Sequence, residues 1–99
     1  MKNTYKIQAK VWIYQGVAAW HFVSIPEDRA AQIKEIFFGM TRGFGSLPVV
    51  VTLGKTSWKT SIFPDKKTRT YLLPLKAEVR KKEEISEGDV VEFVVEVRP

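Results

Sequence analysis

Cysteine is absent from this 99-residue chain. That excludes a disulfide framework and any thiolate-held metal. Small secreted domains commonly depend on such bridges, so the cytoplasm is the expected compartment. Histidine occurs once, at His21. One histidine without cysteine builds a zinc site only with well-spaced carboxylates, and none is spaced to help, so no metal or other cofactor is expected. Long apolar runs are missing as well. The N-terminus, MKNTYKIQAKVWIYQG, alternates rather than clustering its apolar residues, which argues against a signal peptide. No window of about 20 apolar residues exists, so neither a membrane span nor a membrane partner is expected.

What is present is an ordinary globular composition. Apolar residues make up 44% and aromatics 12%, enough for one modest core in a single domain over 1–99. The net charge of +5 is unevenly spread. Residues 1–54 carry +3, residues 55–82 carry +7 and residues 83–99 carry −5. A basic middle suits phosphates or an acidic partner, and a solvated surface with the acidic last segment lying near the basic one is the plainer expectation.

Alternation dominates the pattern. In residues 5–14, Ile7, Ala9, Val11 and Ile13 share one face, whereas Trp12 and Tyr14 share the other with Lys6 and Lys10. Residues 18–25 read as a second strand. The period then changes. Ser24 to Glu27 has capping-box spacing with Pro26 near the first turn, and Ile33, Ile36, Phe37 and Met40 form one helical stripe, which predicts a helix over 26–38. Further strands are expected at 47–53, 56–63, 69–75 and 90–97, with Pro74 marking an edge or strand end. A turn or two of helix is expected in 77–84. No internal repeat is visible. The fold expected is mainly β: a small closed six-stranded barrel with one main helix.

The glycines do not make a nucleotide loop. Counting back from Gly54-Lys55-Thr56, a phosphate loop needs glycine where Val49 stands, and strand rather than helix follows. Gly43-Phe44-Gly45 is followed by Pro48, not by the third glycine of a dinucleotide fingerprint. Gly54-Lys55 reads as a hairpin tip. Ser46 lies one place late for a nucleophile elbow. Glu92 and Glu96, four strand residues apart, are separated by roughly 13 Å, too far for paired-carboxylate hydrolysis. An enzyme is therefore the third choice, with Ser61, His21 and Lys59 as its only candidates. The first is a non-catalytic binding or interaction module, holding a small anionic or polar ligand or a protein partner. Its groove is expected near the 39–48 loop, using Gly45, and near Trp58, Lys59, Ser61 and Arg80. The alternative is nucleic-acid binding, with Lys55, Lys59, Lys66, Lys67 and Arg69 neutralising phosphates beside stacked aromatics.

In order, Trp20-x4-Ile25-Pro26, Gly45-x-Leu47-Pro48-Val49, Trp58-x2-Ser61-x2-Pro64, Tyr71-x-Leu73-Pro74-Leu75-Lys76, Arg80 and Gly88-Asp89-x-Val91 resemble a family of small prokaryotic proteins known only as a domain of unknown function. Its members also occur fused to bacteriocin-protection-type (YdeI/OmpD-associated) domains. The resemblance implies a double-split β-barrel, the architecture of AbrB-like and MazE-like regulators, which bind DNA as swapped dimers. Their basic arms have no counterpart here residue by residue, so no functional residue is carried over and a homodimer stays open. Within the pattern, Pro26 is expected to start the helix, Gly88-Asp89 to turn into the last strand, and Trp20 and Trp58 to pack.

Overall fold

Ten-residue strands open each half of the chain. In a computed structural model describing residues 3–16 and 19–99, the order is β1 (Thr4–Ile13), β2 (His21–Ser24), α1 (Glu27–Phe37), a single 3₁₀ turn at Gly43–Gly45, β3 (Leu47–Leu53), β4 (Thr56–Asp65), β5 (Thr70–Pro74), α2 (Ala77–Lys82) and β6 (Val90–Val97). All pairings are antiparallel, and they close a six-stranded barrel in the order β1-β2-β5-β4-β3-β6. Closure removes the outer edges that a small open sheet would expose. The expected second strand is shorter than its 18–25 reading, and positions 17 and 18 lie outside the described residues.

The sequence shows no repeat, but the pairing does. Each half is β-β-α-β. β1 pairs with β6 through residues 4–10 and with β2 through residues 11–13. β4 likewise pairs with β3 through residues 56–62 and with β5 through residues 63–65. The halves are interleaved: β1–β6, β3–β4, β3–β6 and β2–β5 all join them, the last centred on the Val23↔Leu73 pair. Reciprocal hydrogen bonds flank it, Ile25 N–H to Tyr71 O at 2.8 Å and Leu75 N–H to His21 O at 2.9 Å. A repeat held in register rather than in residue identity leaves no trace in a string of letters. The first and last strands also run side by side: the Asn3 side chain donates to Val97 O at 3.1 Å, and Val97 N–H donates to Asn3 O at 2.8 Å.

The alternation buries Ile7, Val11, Val49, Val51, Trp58, Ile62, Phe93 and Val95 inside the barrel, and α1 adds Ala30, Ile33 and Phe37. Three local expectations need correction. Pro26 is the N-cap of α1, but no side chain caps it; the hydroxyl of Ser24 instead accepts a 2.9 Å bond from Trp12 Nε1. Met40 lies beyond the end of the helix and is exposed, because the chain leaves the helix at Phe37. Trp20 does not pack in the core: it is 57% exposed, with its ring tilted against that of Phe22 at a centroid distance of 6.1 Å.

Among the described residues, burial leaves two side-chain polar atoms without a partner, the Tyr5 hydroxyl and His21 Nδ1. Burial also pushes the phenol pKa of Tyr5, and that of Tyr71, above the ordinary 10.0. A raised pKa means that the neutral phenol is favoured by folding. This contribution is intact below pH 10 and is lost as pH rises through the shifted value. Tyr5→Phe removes an unsatisfied buried group and one of the two shifted phenols. It should raise stability by about 1 kcal/mol at neutral pH and flatten the alkaline fall in stability. Urea titrations at pH 7 and above pH 10 check both; a variant less stable than wild type at pH 7 would show that the hydroxyl has a partner.

Candidate functional site

The two halves differ where each long strand changes partners. Gly54-Lys55 is a two-residue turn, so Leu53↔Thr56 closes the β3–β4 ladder as a hydrogen-bonded pair. Bonds across that ladder then alternate through Trp58, Thr60 and Ile62. The bond from Arg98 N–H to Pro48 O, 2.8 Å, fits this phase, since it places the even-numbered residues of β3 towards β6. The backbone groups of Ser57, Lys59 and Ser61 therefore point the other way, towards β5. There the β4–β5 ladder extends only over residues 63–65. The next position of β5 that faces β4 is Pro74, which has no N–H to offer Ser61, and the strands part there, as β1 and β2 part beyond Val11↔Val23.

A groove of about 410 Å³ opens at this parting. Trp58, Lys59 and Thr60 of β4 form one wall; the other comprises Ala19 to His21, Pro74 to Ala77, and Arg80 of α2. Its character is basic and aromatic. Lys59, Lys76, Arg80 and His21 line it, together with Trp20 and the buried Trp58, and no aspartate or glutamate does. Arg80 is held in place by donating from Nε to Leu75 O at 3.0 Å. His21 Nδ1 is buried and lacks a hydrogen-bond partner.

The acidic last segment does not neutralise this surface. It forms β6, between β1 and β3, where Gln8 faces Glu92 and Thr4 faces Glu96. Among the described residues the ion pairs are Lys82–Glu78, at 3.6 Å, and Arg98–Glu96, at 3.0 Å. Glu83 is occupied at the β3–β4 hairpin tip, where it accepts from Lys55 N–H and from Thr56 Oγ1 at 2.6 Å. Nearness in sequence to the basic middle thus does not become nearness at the groove, because the barrel order inserts β3 between β6 and β4.

The structure brings Trp58, Lys59 and Arg80 together in the groove, and leaves Ser61 and Gly45 outside its lining. Gly45 instead lies against the ring of Pro64, in a loop that exposes Phe38 and Phe44. In the sequence Trp20 and Lys76 belong with Trp58, Lys59 and Arg80 to the aromatic and basic set that suits nucleic acid, and His21 joins Lys59 only as an enzyme candidate; their meeting in this groove depends on where β5 leaves β4. Of the residues considered for nucleic acid, Lys55 lies at one end of β4, whereas Lys66, Lys67 and Arg69 occupy the turn beyond its other end. A ten-residue strand separates them by roughly 30 Å. Among the described residues no three of His, Cys, Asp and Glu gather to hold a metal ion, and no helix is long and apolar enough to cross a membrane.

Residues 8–95, from within β1 to within β6, match the profile of a family described as a domain of unknown function (DUF1905). The chain belongs to this family. The match includes both halves of the barrel and the whole lining of the groove, so the groove is part of the DUF1905 domain itself. No curated protein matches the chain.

Proposed function

We propose that this DUF1905 domain is a non-catalytic binding module whose groove between β4 and the β5–α2 segment holds an anionic ligand. One observation carries the reading: Lys59, Lys76 and Arg80 share a cleft with two tryptophans and no carboxylate. Low-dielectric walls strengthen the attraction for a negative group, and the indole faces suit a planar one. The reading also takes the barrel to be of the double-split kind found in AbrB-like and MazE-like regulators, working in the cytoplasm, and able to serve as the binding part of fusions with YdeI-type domains.

Aromatic carboxylates and nucleoside monophosphates are the first probes. A ligand at 100 times its Kd should stabilise the fold by about 2.7 kcal/mol. Lys59→Glu combined with Lys76→Glu places two negative charges on exposed positions of the wall. It should lower affinity at least tenfold while leaving the melting temperature of the free protein nearly unchanged. A panel that shifts neither melting temperature nor tryptophan emission would overturn the reading.

The second reading, nucleic-acid binding, draws on Lys55, Lys59, Lys66, Lys67 and Arg69. It requires one strand of nucleic acid to run the length of β4. It predicts a linear fall of log K with log salt, and no oligonucleotide binding at low salt would remove it.

A further inference from the structure

The molecule contains its own comparison for the groove. By the same alternation, Lys6, Gln8 and Lys10 of β1 turn their backbone groups towards the β2 side, along a stretch where β2 does not pair with them. In that half α1 lies alongside, and Arg29 Nε donates to Lys6 O at 3.4 Å. In the second half the matching edge is Ser57 to Ser61, and the helix beside it is α2. An open edge of five residues is roughly 16 Å long. The 11 residues of α1 span about 16 Å, whereas the 6 residues of α2 span about 9 Å. The arginine of α2 is turned inward to Leu75 O rather than across to the edge. α1 thus reaches its edge through Arg29, beside a cleft of about 510 Å³ that Tyr5, Lys6, Arg29 and Ile36 help to line. Among the described residues α2 makes no such bond to the β4 edge, and only the groove there adds two tryptophans to its cations.

We infer that the open edge of β4 accepts a short extended acidic peptide as an added strand, its backbone bonding to Ser57 and Lys59 and a carboxylate meeting Lys59, Lys76 and Arg80. This rests on the reading of the groove as an anion site and names the class of ligand. Two features favour an extended chain over a compact anion. The groups on this edge are a row of backbone donors and acceptors that no described strand pairs with, and small anions cannot match their acceptor side. The Pro74 interruption also leaves those groups without the strand that would otherwise pair with them. Strand addition supplies affinity through main-chain bonds and specificity through side groups, here the cations on the walls. The absence of any acidic lining residue selects against basic peptides.

The test uses the full chain and three probes: an acetylated hexapeptide Val-Thr-Val-Thr-Glu-Glu with a free C-terminus, its amidated Gln-Gln counterpart, and glutarate. Amide hydrogen exchange is followed residue by residue. The acidic peptide is expected to slow exchange at the Ser57 and Lys59 amides at least tenfold and to perturb Trp58. The amidated peptide should bind at least tenfold more weakly. Lys59→Gln with Lys76→Gln, both at exposed positions, should reduce the preference for the acidic peptide at least fivefold without altering the exchange of buried strand amides. If glutarate binds in the groove and the acidic peptide does not, or if the peptide binds without slowing Ser57 and Lys59, strand addition is refuted and the anion site stands. If none of the probes binds, both readings fall.

Discussion

Leu73→Ala should lower the melting temperature by roughly 12–24 °C. Leu73 is fully buried at the centre of the β2–β5 ladder, opposite Val23, in one of the four ladders that join the halves of the barrel. Truncation removes the buried methyl groups and leaves a cavity that flanking strands, fixed by their ladders, cannot collapse into; about 3 kcal/mol is the ordinary size of that loss. For a domain of this length each kcal/mol moves the midpoint by roughly 4–8 °C. Because three further ladders interlock the halves, unfolding should remain a single cooperative transition, with the urea midpoint lowered and the slope unchanged. Leu73→Met, which keeps the volume, should cost less than about 1.5 kcal/mol. Two separated transitions in Leu73→Ala would mean that the interleaved ladders do not make the barrel one cooperative unit.

Gly54→Ala should cost about 2 kcal/mol, from two sources that can be separated. Gly54 holds φ at +61°, a conformation that a side chain disfavours by roughly 1 kcal/mol. A Cβ at this position would also overlap the carboxylate of Glu83, which bonds Lys55 N–H and Thr56 Oγ1. Glu83 is the far end of a flexible side chain, so it would swing out, and those two bonds would be lost rather than the backbone displaced. They lie partly in solvent and contribute about 1 kcal/mol together. In a Glu83→Ala background the Gly54→Ala penalty should therefore fall to about half. Equal penalties in the two backgrounds, measured by chemical denaturation, would show that Glu83 does not clamp the hairpin.

The barrel was largely legible in the sequence because its determinants are local. Val49 to Leu53 alternate buried and less buried positions as a strand should, and Gly54-Lys55 turns the chain with the residue type that the turn requires. Ile33 and Phe37 mark the helix face. The errors have a common cause. Trp20 was read as core from its type, yet it stands where the chain enters β2 at the groove mouth, and only the position of β4 relative to β5 determines that. Ser24 matched a capping pattern, but a residue distant in sequence, Trp12, claimed its hydroxyl. The groove was half legible: Trp58, Lys59 and Arg80 could be grouped from spacing and charge, whereas the addition of His21 and Lys76 and the departure of Gly45 depend on which strands separate. The unpaired edge itself follows from where β4 changes partners, a fact that acquires meaning only after pairing is known.

Asn3 and Val97 hold the two ends of the chain against each other on neighbouring strands. Nothing in the closed ring of strands marks the gap between them as special, since β1 and β6 are joined by the same ladder as any other neighbours. A short tether between the ends, with the backbone cut instead at the exposed Lys66-Lys67 turn, would leave every pairing intact. The itinerary of the polypeptide is thus incidental to the architecture, and cyclised or rewired versions of the chain are geometrically accessible.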